Sequence, residues 1–189
     1  MQKNSQYSDI AVVNQAAGGN RILADGLGPN ALSRIERDVL SHSNVGYAMI
    51  FEGVNDIGTA EATQAAQQAI GDRIIQAYQQ IISRVHAFDI PIFGATITPF
   101  GKQNGTSLNA YTDPIREQTR QRVNKWIRES KKFDAVIDFD AILRDPAYQA
   151  QLSAAYDSGD SLHPSVAGYQ AIANAFPLEV FDIKSVNEV

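Results

Sequence analysis

The sequence predicts an α/β protein with a three-layer α/β/α fold built on a parallel sheet. Short apolar runs alternate along the chain with longer segments in which apolar residues recur every three or four positions. The short runs are apolar throughout, whereas strands with one solvated face alternate apolar and polar residues. Such runs are typical of parallel strands buried on both faces. We therefore expect helices on both sides of the sheet and right-handed crossovers between strands.

Four buried strands are predicted from the apolar runs. They lie at residues 10–14, 47–52, 91–95 and 135–138. The first run is followed by the pair Gly18-Gly19 and the second by Gly53, and glycine permits a tight turn at the end of a strand. Residues 101–106 are predicted to form a polar loop.

Four helices are predicted between and after these strands. Asn30 can cap the first, because its side chain can accept a hydrogen bond from an amide of the first turn. The others are predicted over residues 62–88, around residues 115–127 and from about residue 165. The positions expected to be buried are spaced three or four residues apart. They are Leu32, Ile35 and Val39; Ile74, Tyr78, Ile81, Ile82 and Val85; Ile115, Thr119, Val123 and Ile127; and Tyr169, Ile172 and Phe176.

The composition suits one globular domain over residues 1–189. Apolar residues make up 44% of the chain and charged residues 20%, which is ordinary for a globular protein. The formal charge is −5 and the basic residues form no cluster larger than Lys131-Lys132. This argues against a nucleic-acid partner, which requires a basic face. The sequence contains no cysteine, which excludes disulfides and thiol catalysis.

No apolar run approaches the roughly 20 residues that cross a bilayer, so no membrane span is expected. The residues after Met1 are polar and do not resemble a signal peptide. Because a longer parent protein could carry one, the compartment stays open.

The residues that directly follow the predicted strands are the first candidates for a functional site. In open parallel sheets, ligands bind where the carboxyl ends of the strands meet the loops. The polar residues at these positions are Gly18 to Asn20, Glu52 to Asp56, Thr96 to Thr98, and Asp138 with Asp140.

The stretch Asp160-Ser161-Leu162-His163-Pro164 precedes the last predicted helix. An acid three residues before a histidine can accept the Nδ1 proton of the imidazole and leave Nε2 as a base. Pro164 disfavours helical geometry at His163, which suits a base carried by a loop. The alternative is a surface histidine with Asp160 merely solvated.

Two glycine-containing turns could supply oxyanion donors. Asn55, in Gly53-Val54-Asn55-Asp56, could donate its side-chain amide to a developing negative charge. Gly19 could present its backbone amide, because glycine allows close approach to a ligand. Taken alone, each turn is better explained by ordinary turn chemistry.

In chain order, these stretches resemble blocks two, three and five of the SGNH (GDSL-like) hydrolases. The matching stretches are Gly18-Gly19-Asn20-Arg21, Gly53-Val54-Asn55-Asp56, and Asp160 to Tyr169. The resemblance, closest to esterases related to lysophospholipase, covers residues 11 to about 176. It implies a flavodoxin-like sheet and a serine esterase that needs no cofactor or metal. It also implies that His163 is the general base, Asp160 its orienting partner, and Gly19 and Asn55 oxyanion donors.

One block of the family is absent from the sequence. The family's nucleophile lies in a Gly-Asp-Ser block after the first strand, and no such block precedes Ile10. We therefore expect a chain that lacks the nucleophile and the first, central strand, and that is inactive alone. A literal Gly159-Asp160-Ser161-Leu162 occurs, but Ser161 is two residues before His163. Residues two apart on an extended chain lie roughly 6 to 7 Å apart, beyond the hydrogen-bond reach that a Ser-His pair needs.

Two hypotheses from other functional classes stay open at this point. A non-catalytic module on the same scaffold could use Asn55, Asp160 and His163 to bind a ligand. A receiver-like domain could bind Mg²⁺ at Asp138 or Asp140, although a loop-capping role is the simpler expectation. For the esterase, short-chain esters such as acetylated sugars are expected as substrates ahead of long-chain lipids, because no long apolar lid is evident.

Overall fold

The computed structural model describes residues 4–102 and 111–183. Its centre is a parallel three-stranded sheet with the order β1-β2-β3. The strands are β1 (Ala48–Ile50), β2 (Ile92–Ala95) and β3 (Ala135–Ile137). The second, third and fourth predicted strands are confirmed, each shorter than expected. Most of the polar loop predicted at residues 101–106 lies outside the described residues.

The helices follow the predicted alternation with the strands. They are α1 (Ala31–Ile35), α2 (Val54–Thr59), α3 (Gln64–His86), α4 (Pro114–Glu129), α5 (Phe139–Leu143) and α6 (Val166–Ala175). A wider π-helical turn, Glu36–Leu40, continues α1, and 3-10 turns occupy Ser5–Tyr7 and Leu178–Asp182. The expected cap at Asn30 is confirmed, since its side chain accepts a hydrogen bond from the Ser33 amide at 2.9 Å.

The two faces of the sheet bury different cores. Successive strand residues point to opposite faces, so Ile92 packs into the core beneath α3 and α4, whereas Phe93 packs into a second core. The second core contains Phe139 of α5, and Ile172 of α6 packs against it. The helices therefore lie on both faces of the parallel sheet, as predicted.

The first predicted strand is wrong. Residues 10–14 form no strand, and Val12 and Val13 are exposed. The apolar run was correctly identified, but a strand also needs a neighbour to bond with, and within the described part of the chain these residues have none. The turn that follows does form, because the Asn20 amide donates to the Ala17 carbonyl at 3.2 Å.

The last helix is less buried than predicted. Ile172 and Phe176 pack against the second core, but Tyr169 points to solvent, as does Val166 at the start of α6. The prediction for Tyr169 was wrong because the spacing identifies one face of a helix but not how far the protein extends over it.

The outer edge of β1 is open. This strand pairs with β2 on one side, and no described residue forms a strand on the other. Met49 and Phe51, at and just after this strand, are both exposed.

Candidate active site

The turn after β1 places Asn55 at the carboxyl edge of the sheet. Gly53 has a φ of +112°, a conformation that disfavours other residues, and a Cβ there would also lie 3.1 Å from the Ile97 side chain. This sharp turn lets α2 begin at Val54, directly after the strand. Asn55 therefore sits in the first turn of α2.

Asn55 joins the two predicted oxyanion turns. Its Nδ2 donates to the Asn20 carbonyl at 2.9 Å, across 35 residues of sequence. Gly19, next to Asn20, has a φ of +69°, and a Cβ there would clash with Leu27. Among the residues that the structure describes, no group accepts a hydrogen bond from the Gly19 amide. The structure thus brings together the two predicted oxyanion donor turns.

The predicted acid–base pair forms in the loop before α6. His163 Nδ1 lies 2.6 Å from Asp160 Oδ2, and the other carboxylate oxygen accepts a bond from the His163 backbone amide at 2.8 Å. Burial raises the pKa of Asp160, but the bonds from His163 and other neighbours outweigh it and hold this pKa well below its usual value. Since Nδ1 is occupied, Nε2 is the ring nitrogen left for proton transfer.

The family model of the GDSL-like lipases/acylhydrolases matches residues 1–176 of this chain. The chain belongs to this family. Among solved structures it resembles an acetylxylan esterase from Geobacillus stearothermophilus, with a TM-score of 0.54 and 22% identity over 83% of this chain and 68% of the other. It also resembles a GDSL-like lipase from Bacteroides thetaiotaomicron, with a TM-score of 0.55 and 19% identity over 77% and 70%. At such identities the structures establish a shared fold. A comparison with curated protein sequences finds no match.

Arg34 fixes the Asn20 side chain in this GDSL-like domain. Its Nε and Nη2 both contact Asn20 Oδ1, at 3.2 and 2.7 Å, while Nη1 bonds the Gln15 carbonyl and Asp38. The hydrogen bonds from Arg37 and Arg34 lower the pKa of Asp38. Arg34 was not among the predicted site residues, since nothing in the spacing of α1 marks it as a partner of the glycine turn.

Asp56 is buried and ties the same segment to α2. Its two carboxylate oxygens accept the amides of Ile22 and Leu23, at 2.8 and 3.0 Å. Burial raises the pKa of Asp56, opposed by these two bonds. An Asn-Asp turn bonded to its own backbone was the simplest expectation. The Asp56 carboxylate does bond its own backbone amide, and the side chains of Asn55 and Asp56 also bond a segment far away in sequence.

Glu52 lies two residues after the end of β1, where Arg34 and Asp56 both influence its carboxyl group. Burial raises its pKa to about 7, and the neighbouring Asp56 adds to the shift while Arg34 opposes it. The Glu52 carbonyl accepts the Tyr78 hydroxyl at 2.7 Å. The Glu52 carboxyl group, three positions before Asn55 in the sequence, therefore has a pKa near neutral pH.

The loop that carries His163 is fastened at both ends. Near its start, the Ala150 carbonyl accepts the Gly101 amide at 2.7 Å, which ties the loop to the segment after β2. Near its end, the Ser165 amide donates to the Tyr156 carbonyl at 2.6 Å, and the Ser158 amide to the His163 carbonyl. The first bond ties the loop to the segment after β2, and the other two close the turn around His163.

Ser161, the serine of the literal Gly-Asp-Ser-Leu run, is buried. Its φ is +61°, and its amide donates to Asp157 Oδ1 at 3.0 Å. This environment fits a residue that shapes the turn before His163.

The two carboxylates considered for Mg²⁺ are bound by arginines. Asp138 caps α5 and is bonded by Arg128, and Asp140 is fully buried and bonded by Arg120, Arg128 and Arg144. Over residues 4–102 and 111–183, no group of three or more histidine, aspartate or glutamate side chains is arranged to hold a metal ion. The capping role of Asp138 is thus found, and the arginines leave the receiver-like hypothesis without support.

No helix in the described residues combines the length and apolar character needed to cross a membrane.

The predicted site residues thus form two pairs. Gly19 and Asn55 meet through the Asn20 carbonyl, and Asp160 bonds His163. In the part of the chain that the structure describes, no hydrogen bond joins one pair to the other. Their shared role in one active site is therefore a proposal.

Proposed function

We propose that this chain is the larger part of a serine ester hydrolase, one SGNH-type domain that lacks the strand and the Gly-Asp-Ser block bearing the nucleophile. The observation that carries the proposal is the presence of both accessory parts of such a site. A histidine has its Nδ1 bonded to a carboxylate at 2.6 Å, and an amide side chain is locked against a glycine turn.

The two pairs would divide the reaction between them. His163 Nε2 removes the proton of the serine hydroxyl as its oxygen attacks the ester carbonyl, and then gives that proton to the leaving alcohol. Asp160 keeps the ring in the required tautomer and stabilises the imidazolium. The Gly19 amide and Asn55 Nδ2 donate to the oxyanion. Water, deprotonated by His163, then releases the acid from the acyl-enzyme.

The open edge of β1 supports the proposed position of the missing strand. Met49 and Phe51 are 47% and 36% exposed beside this edge, and Val12 and Val13, on the unpaired run, are 74% and 66% exposed. Exposed apolar side chains that form a contiguous patch mark a surface that another segment or chain covers. A strand inserted next to β1 would pair with its free backbone groups and present its carboxyl end on the same side as Asn55.

For the substrate we propose a short-chain carboxylic ester, with acetylated carbohydrate ahead of lipid. The similar fold of the acetylxylan esterase supports this choice. His163 supports it as well, because its side chain is 65% exposed and can approach an ester on a bulky, polar alcohol.

A serine-directed fluorophosphonate tests the proposal. The protein translated from the complete gene is expected to be labelled and to hydrolyse p-nitrophenyl acetate, while the 189-residue chain alone does neither. Removing the nucleophile of a triad costs on the order of a millionfold in rate. In the complete protein, His163→Ala abolishes labelling, and His42→Ala, which changes an exposed histidine elsewhere, leaves it intact.

Two outcomes contradict the proposal. Refusal of the complete protein to react indicates a non-catalytic ligand-binding module. Labelling of the 189-residue chain that disappears in Ser161→Ala identifies Ser161 as the nucleophile.

A further inference from the structure

A tyrosine hydroxyl lies against the side-chain oxygen of Asn55. Tyr111 Oη is 3.2 Å from Asn55 Oδ1, although the two residues are 56 positions apart. Neither the sequence patterns nor the roles given to Gly19, Asn55, Asp160 and His163 account for this contact.

The orientation of the Asn55 amide follows from its partners. The Asn20 carbonyl oxygen can only accept a hydrogen bond, so the Asn55 atom 2.9 Å from it must be the NH₂ group. The opposite atom is then the oxygen, and the Tyr111 hydroxyl beside it must donate. The two contacts agree on one orientation and oppose a flip of the amide.

The chain makes room for Tyr111 at this place. Gly58 faces the tyrosine ring, and a Cβ at this position would clash with it. On another side, the ring meets Phe100 edge-on, with centroids 6.4 Å apart. The packing of the ring therefore holds the Tyr111 hydroxyl against Asn55.

From this geometry we propose that Tyr111 is a positioning residue for the oxyanion donor Asn55, an inference that rests on the proposed esterase function. The NH₂ group has two hydrogens. The Asn20 carbonyl takes one, and no other acceptor among the described residues takes the second. By holding Oδ1, Tyr111 keeps the second N–H pointing in a fixed direction, and a donor fixed beforehand stabilises an oxyanion without reorganising during the reaction.

The geometric part can be tested on the 189-residue chain by NMR. Tyr111→Phe removes the hydroxyl and keeps the ring. We expect an upfield shift of the Asn55 side-chain carbonyl carbon and a lower order parameter for its NH₂ group. Tyr7→Phe is the matched control, because it removes a hydroxyl that bonds Asp182 at 3.0 Å in another part of the molecule. Both Asn55 signals unchanged in Tyr111→Phe, as in the control, overturn the proposal.

The functional part requires the complete, serine-containing protein. Tyr111→Phe is expected to lower kcat about tenfold, equivalent to one net hydrogen bond, with KM nearly unchanged. In an Asn55→Ala background the same substitution is expected to have no further effect on kcat. Equal losses in both backgrounds show that Tyr111 does not act through Asn55 and overturn the proposal. An inactive, unlabelled complete protein instead refutes the esterase function, while the NMR result still decides the geometry.

Discussion

Asp56 accepts the backbone amide of Ile22 at 2.8 Å, and this bond joins the segment after the Gly18-Gly19 turn to the helix that carries Asn55. The same carboxylate also accepts the Leu23 amide. Because Ile22 and Asp56 are both buried, water cannot replace the Asp56 oxygen at the Ile22 amide without opening the core. Asp56 therefore connects the oxyanion turns to the fold.

Replacing Asp56 is expected to destabilise the protein strongly. Asp56→Ala leaves two backbone donors without an acceptor and should cost about 2–4 kcal/mol. Urea unfolding followed by circular dichroism measures the loss. Asp9→Ala, at an exposed aspartate, is the control and should change the free energy of unfolding by less than about 0.5 kcal/mol. Equal losses in the two variants would contradict the role given to Asp56.

The Asp160–His163 pair predicts a defined kinetic defect in the complete enzyme. Asp160→Asn keeps the shape of the side chain but removes its charge. The new amide either donates from its NH₂ group to Nδ1, which favours the wrong tautomer of His163, or presents a neutral oxygen, which stabilises the imidazolium less well. We expect kcat/KM for p-nitrophenyl acetate to fall by about 10²–10⁴. Ser158→Ala, which removes only a hydroxyl bonded to Asp160 Oδ1 at 3.0 Å, should cost less than about tenfold. A larger loss in Ser158→Ala than in Asp160→Asn would be inconsistent with this arrangement.

Glu52 predicts that stability falls as the pH rises through the weakly acidic range. Its pKa is about 7 in the folded protein, against an ordinary value of 4.5. Between these values the folded state binds more protons than the unfolded chain, so raising the pH favours unfolding. The full effect is at most about 3 kcal/mol.

Thermal unfolding between pH 4.5 and 8 checks this prediction. Glu52→Gln removes the titrating group and should flatten this part of the profile and raise Tm at pH 8. The exposed Glu61, changed to Gln, should leave the slope as it is in the unaltered protein. A Glu52→Gln profile parallel to the original would rule out Glu52 as the source.

The open edge of β1 predicts self-association of the 189-residue chain. Unpaired strand edges with exposed apolar side chains pair readily with other chains. Met49→Lys places a charge beside the edge and should shift the protein towards monomer in sedimentation velocity. Phe88→Lys changes an even more exposed apolar residue just after α3 and should have little effect. If both variants associate like the unaltered chain, the edge is not the contact surface.

The sequence predicted those features that depend on local periodicity and local chemistry. The spacing of Ile74, Tyr78 and Val85 located α3, and the three-position spacing of Asp160 and His163 was enough to anticipate their bond. The predictions that failed, and the contacts that were not predicted, involve residues whose neighbours come from distant parts of the chain. Residues 10–14 have the composition of a strand but no partner strand among the described residues, and Tyr111 meets Asn55 only through the fold.

The burial of Arg120 also depends on the fold and not on the local sequence pattern. The spacing of α4 identified Thr119 and Val123 as buried but gave no reason to bury an arginine between them. Arg120 is fully buried, and its guanidinium bonds Asp140 at 2.7 Å, the Ile97 carbonyl at 2.8 Å and Glu117. Burial lowers the pKa of Arg120, but its acidic partners outweigh this and leave the pKa raised.

Removing Arg120 is therefore expected to cost much more than removing a surface cation of the same helix. Arg120→Ala leaves Asp140 and the Ile97 carbonyl short of a donor in the interior, and should lower the free energy of unfolding by about 3–5 kcal/mol. Lys125→Ala removes an exposed ion pair with Glu129, at 3.9 Å, and should cost less than about 1 kcal/mol. Urea unfolding at neutral pH compares the two variants. Because Arg128 and Arg144 also bond Asp140, a small loss in Arg120→Ala would mean that these two arginines alone compensate the buried carboxylate.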